Sequence, residues 1–75
     1  MPNYTIRLKW LGNALNKIRK ETGLTIEAAA ERLGWPQSKI SRIENGMIRA
    51  HWGDIQDLLD LYGFADPDQR KALIA

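Results

Sequence analysis

The sequence has no cysteine and a single histidine. Without thiols there is no disulfide, no thiolate nucleophile and no thiolate metal site. His51 alone cannot build a metal centre, which takes several His, Cys or carboxylate ligands at suitable spacing. With Asp54 nearby it reads as a solvated loop residue. No glycine-rich phosphate loop follows a strand. Asp54, Asp57 and Asp60, spaced i, i+3, i+6, read as a solubilising helix face before they read as an acid/base pair. No catalysis, metal or cofactor is therefore expected. No apolar run approaches the roughly 20 residues of a membrane span, and the first residues lack the apolar segment of a signal peptide. A cytoplasmic chain is expected. Its 75 residues allow one domain with a modest core.

Net charge of either sign is small, but the charges are unevenly placed. The net charge is only +2, yet residues 1–49 hold nine Lys/Arg against four Asp/Glu, and residues 50–75 hold two against five. A basic front and an acidic rear suit a polyanionic partner.

Hydrophobic spacing predicts an all-α chain of five short helices. Tyr4, Ile6, Leu8 and Trp10 alternate with Thr5, Arg7 and Lys9 in a strand-like pattern, but no partner strand is evident. The reading is an N-terminal arm over residues 1–10, followed by one domain over 11–75, with the first helix entered near Arg7 or Leu8. Leu8, Leu11, Leu15, Ile18 and Thr22 form its stripe, and Gly23 stops it. Trp52, Ile55, Leu58, Leu59 and Tyr62 mark a fourth helix, whose three aspartates point away. Gly63 ends it, with Phe64 folding back. Asp66, Pro67 and Gln69 open a fifth with an N-cap, a proline at the first position and a capping-box amide. The three tryptophans are expected in core or half-buried positions.

The organising stretch lies between, at residues 24–46: LTIEAAAERLGWPQSKISRIENG. Ile26, Ala29, Ala30 and Leu33 share one helix face, Thr25 is a plausible N-cap, and Glu27 suits the first turn. Gly34 and Trp35-Pro36 end that helix and start another over residues 36–45. Pro36, Ile40, Ile43 and Met47 fall on its inner side, with Glu44 flanking, and Asn45-Gly46 is a strong stop. The outer side carries Gln37, Ser38, Ser41, Arg42 and Asn45, with Lys39 at the edge. Amides, hydroxyls, a guanidinium and an ammonium without an acid are groups that suit base edges and phosphates.

Residues 11–63 resemble the Cro/C1-type, or xenobiotic-response-element-type, helix-turn-helix repressors. The runs GLTIEAAAERLGW and SRIENG look most like the N-terminal DNA-binding domain of actinobacterial transcriptional regulators. The resemblance implies a lambda-repressor-like bundle with its helix-turn-helix at 25–45. It implies sequence-specific binding of double-stranded DNA, the helix at 36–45 entering the major groove, and a nucleoid-associated regulator of repressor-like type. On it, Gln37, Ser38, Ser41 and Arg42 are expected to contact bases, and Thr25, Lys39, Asn45 and Arg49 the DNA backbone. Arg19 is expected to pair with Glu44, at least partly buried. The family also implies a homodimer on half-sites, with Phe64, Leu73 and Ile74 as seam candidates, and a ligand-sensing or partner-binding region following this domain. Three departures remove backbone contacts the family commonly makes: Ile26 replaces a glutamine, Pro36 a hydroxyl residue, and Met47-Ile48 a basic pair. They keep open a reading from another class, a protein-interaction module or antitoxin on the same scaffold.

Overall fold

The computed structural model describes residues 4–74, with five helices and no strand among them. They are α1 (Tyr4–Thr22), α2 (Ile26–Leu33), α3 (Gln37–Glu44), α4 (Trp52–Leu61) and α5 (Pro67–Ile74). The first helix begins at Tyr4, not near Arg7 or Leu8. An alternation over seven residues is too short to separate period 2 from period 3.6. With no strand to pair with and no breaker between Tyr4 and Gly12, the backbone satisfies itself by extending the helix, one hydrogen bond per residue fixed. Of the expected arm, residues 1–3 lie outside the described residues.

Leu15, Ala29, Ala30, Ile40, Ile43, Ile55, Leu58, Leu59, Tyr62 and Leu73 form the core. α3 is the hub, packing against both α1 and α2. Ala29 and Ala30 are small enough to let α2 cross α3 closely, and both are buried. Thr25 caps α2, its Oγ1 accepting from the Ala28 N–H at 3.0 Å. Gly34 (φ +70°) takes the left-handed conformation after α2, and the Trp35 N–H returns to the Ala30 carbonyl at 2.9 Å. The same closure ends α3, where the Met47 N–H reaches the Arg42 carbonyl at 2.9 Å.

Two glycines let α1 lie directly on the end of α3. A Cβ on Gly12 would sit 2.4 Å from the Glu44 carbonyl oxygen and 2.5 Å from that of Ile43. A Cβ on Gly46, which also has φ +68°, would sit 2.9 Å from the Lys9 backbone. Both are contacts with main chain, which cannot swing aside as a flexible side chain would.

Buried in this interface is an ion pair. Arg19 is buried among its partners: Nε donates to Glu44 Oε2 at 2.7 Å, Nη2 to Glu44 Oε1 at 3.0 Å, and Nη1 to the Leu24 carbonyl at 2.8 Å. Asn16 Nδ2 adds a 2.7 Å bond to Glu44 Oε1. The fork ties α1 to α3 and to the segment entering α2. The hydrogen bonds that Arg19 donates to Glu44 hold its guanidinium above its ordinary pKa, against the opposing pull of burial.

Tyr62 lies close by with its hydroxyl buried and, among the described residues, without a hydrogen-bond partner. Desolvation first, and the negative charge of Glu44 second, push its pKa up to about 12, Arg19 acting in the opposite sense. In the unfolded chain this phenol ionises near its ordinary value of about 10. Its contribution to stability is therefore intact below pH 10 and is lost progressively between pH 10 and 12. Tyr62→Phe removes an unsatisfied polar group, so it should leave stability at pH 7 unchanged or raise it by about 1 kcal/mol. Paired denaturant titrations at pH 7 and pH 11 check this. The advantage of Tyr62→Phe over the parent must widen at the higher pH.

Several surface expectations are corrected. Trp10 and Trp52 are exposed, Trp52 at 55 %, so only Trp35 of the three tryptophans is half-buried. Met47 is 70 % exposed because α3 ends at Glu44 and the chain turns outward at Gly46. Pro36 is the N-cap of α3 (φ −63°, ψ 143°), not its first helical residue, and Asn45 is its C-cap. Of the aspartates of α4, Asp57 and Asp60 are exposed as expected, Asp60 while accepting from Arg70 Nη2 at 2.7 Å, but Asp54 is half-buried and pairs with Lys39. Arg70 also donates to the Phe64 carbonyl at 2.6 Å and to Gln56 Oε1 at 2.7 Å, pinning α5 onto α4. Asp66 caps α5 through its Oδ1, which accepts from the Asp68 N–H at 2.9 Å. Leu73 is buried in the core and Phe64 is half-buried, so neither offers an open dimer seam; the side chain of Ile74 lies outside the described residues.

Candidate nucleic-acid interface

α3 buries Ile40 and Ile43 and turns its other side outward. Gln37, Ser38, Arg42 and Asn45 are exposed and Ser41 is half-buried, so the outer face is continuous along the helix. The one acid of α3, Glu44, is buried in the ion pair with Arg19. No negative charge of α3 itself opposes an anion on this side. Among the described residues no hydrogen bond or ion pair ties the Arg42 side chain. Its five donors are available in the fork geometry that matches a guanine edge or a phosphate.

Asn45 is less available. Its amide nitrogen donates to the Ser41 carbonyl at 2.8 Å and approaches Ser41 Oγ at 3.4 Å. It clasps the last turn of α3, and only its acceptor oxygen faces out uncommitted, which does not suit a phosphate. Ser41 Oγ accepts there and keeps its proton for a partner. Thr25 likewise accepts the capping bond and retains a hydroxyl proton to donate. It stands at the N-terminus of α2, where the first amides and the helix dipole favour an anion. Arg49 is exposed in the loop between α3 and α4.

Lys39 is engaged within the protein. Its ammonium lies 3.1 Å from Asp54 Oδ2 and 4.0 Å from the centroid of the Trp35 ring. The periodic pattern placed Lys39 at the edge of the outer face but carried no information about Asp54, which reaches it from another helix. Asn16 and Arg70 were missed for the same reason.

Among the described residues no group of three or more His, Cys, Asp or Glu could hold a metal ion. His51 is exposed at the N-cap of α4 and makes no capping bond. A cleft of about 230 Å³ lies between α1, the α3–α4 loop, α4 and α5, lined by Arg7, Leu11, Arg49, Trp52 and Leu73 among others. It contains no nucleophile or acid/base pair. No helix among the described residues is long and apolar enough to cross a membrane.

Fold and site together define a small helical module in which two packed helices, joined by a three-residue turn, present the second helix outward. A family model described as a helix-turn-helix domain matches residues 10–73, and the chain belongs to that family. Searches of curated proteins and of solved structures give no significant match.

Proposed function

We propose that this chain is a sequence-specific double-stranded DNA-binding domain of a cytoplasmic transcriptional regulator, repressor-like and of the Cro/C1 type. The observation that carries the reading is the outer face of α3. Gln37, Ser38 and Arg42 are exposed together there, Arg42 is untied, and the helix's one acid is buried. α3 enters the major groove, and Gln37, Ser38, Ser41 and Arg42 read bases. Thr25, the first amides of α2 and Arg49 position the module on phosphates. Asn45 supports this face through its clasp on the Ser41 carbonyl rather than through a phosphate contact. A single module covers few base pairs, so two copies on half-sites about one helical turn apart are the working form.

Arg42→Ala is expected to weaken binding to a preferred sequence by about 1–3 kcal/mol and to relax preference at one base pair. Competition titrations with single-base variants of the preferred site measure both effects. An equal loss on every sequence would make Arg42 a phosphate contact instead. Met47 and Trp52, both large, apolar and exposed, favour a second reading in which the scaffold meets a protein, as an antitoxin or interaction module would. In that case Arg42→Ala leaves the partner bound while the exposed apolar pair governs affinity.

A further inference from the structure

The two cations of α3 are held in opposite ways. Arg42 is exposed and untied, whereas Lys39 is half-buried between two anchors. One anchor is the Trp35 ring, in the turn that leads into α3. The other is Asp54, in the first turn of α4, where the helix dipole favours a carboxylate in its own right. Asp54 is therefore placed independently of Lys39 and holds its ammonium in an ion pair against the Trp35 ring, whereas Arg42 is left untied. A lysine whose charge is matched inside the protein neutralises no phosphate and releases no counterion.

We propose that Asp54 is a positioning residue that limits DNA affinity by holding Lys39 off the phosphate backbone. The proposal rests on the DNA-binding reading above. Phosphate contacts supply nearly all of the binding to unrelated sequence. A latched lysine at the edge of the reading helix subtracts one such contact, so a larger share of the binding is left to the base-reading side chains. The Asp54–Lys39 contact would in this way restrain binding away from the target site.

The test is a salt series of binding to one non-target duplex, with Asp54→Asn, Lys39→Met, the double variant and Asp57→Asn set beside the parent. Asp57 is exposed on the same helix and serves as a control for simple loss of negative charge. Circular dichroism confirms that each variant is folded. Asp54→Asn should bind several-fold tighter at low salt, with a salt slope steeper by about 1. Lys39→Met alone should leave the slope unchanged, and in the double variant it should return the slope to the parent value. A loss of slope in Lys39→Met alone would show Lys39 already on the DNA and overturn the proposal. So would equal effects of Asp54→Asn and Asp57→Asn, or Asp54→Asn binding no tighter than the parent. If the parent itself shows no salt-dependent binding, the DNA-binding reading fails first, and that outcome is distinct from the others.

Discussion

Glu44→Ala is expected to destabilise the domain by about 3–5 kcal/mol. The carboxylate accepts from Arg19 Nε and Nη2 and from Asn16 Nδ2, and all of these donors lose their partner at once. The side chains of Arg19 and Glu44 are 8 % and 5 % exposed, so water cannot readily replace the lost acceptor. The cost comes chiefly from the orphaned guanidinium rather than from the worth of the pair, since a buried ion pair often contributes little net stability. Replacing both residues with methionine should accordingly recover much of the loss. Urea denaturation of Arg19→Met, Glu44→Ala and the double methionine variant separates the two contributions. A loss below about 1 kcal/mol for Glu44→Ala would show that the pair is solvated in solution.

Gly12→Ala should be comparably damaging, by about 3 kcal/mol or more, although on a bare helix the same change stabilises by about 1 kcal/mol. The reversal of sign comes from the Glu44 and Ile43 carbonyl oxygens, which a Cβ would approach to 2.4 and 2.5 Å. Neither helix can yield locally. Displacing α1 from α3 would also open the close Gly46–Lys9 approach and lengthen the Arg19–Glu44 bonds. Gly53 is the internal control. It lies in α4 with nothing within 4 Å of a built Cβ, so Gly53→Ala should be neutral or stabilising. Because Gly12 and Glu44 act on one interface, the double variant should lose less than the sum of the two single losses. Thermal melts of the parent and these four variants give the differences directly. Gly12→Ala melting at or above the parent temperature would refute the close approach of α1 and α3.

Much of the fold can be read from local chemistry. Thr25, Gly34, Gly46 and Asp66 mark helix ends because their capping needs no distant partner. The inner stripes of α2, α3 and α4 follow from period 3.6 because one face of each must be buried. Features that depend on a second element escape such reading. Gly12 looks like a mere weak point in a helix until α3 is laid across it. Lys39 reads as an edge cation for the DNA backbone with no sign of Asp54, which reaches it from α4, and Arg70 has no visible task until it meets Gln56 and Asp60. Apolar identity also misleads in one direction. Trp10, Met47 and Trp52 are exposed because a small domain has too little interior to enclose every large side chain. The outer face of α3 is legible in the sequence, since Gln37, Ser38 and Arg42 share one side whatever packs behind them. Which of them is held by the protein and which is left open is not.

The central claim, that this chain reads double-stranded DNA through α3, is tested most directly by fluorescence anisotropy of labelled genomic DNA fragments titrated across a salt series. The account predicts binding whose affinity falls linearly on logarithmic axes with salt, with a slope of about −2 or steeper, together with clear preference for some fragments over others. Absence of binding at low salt would contradict it and turn attention to the exposed Met47 and Trp52 as a surface for protein.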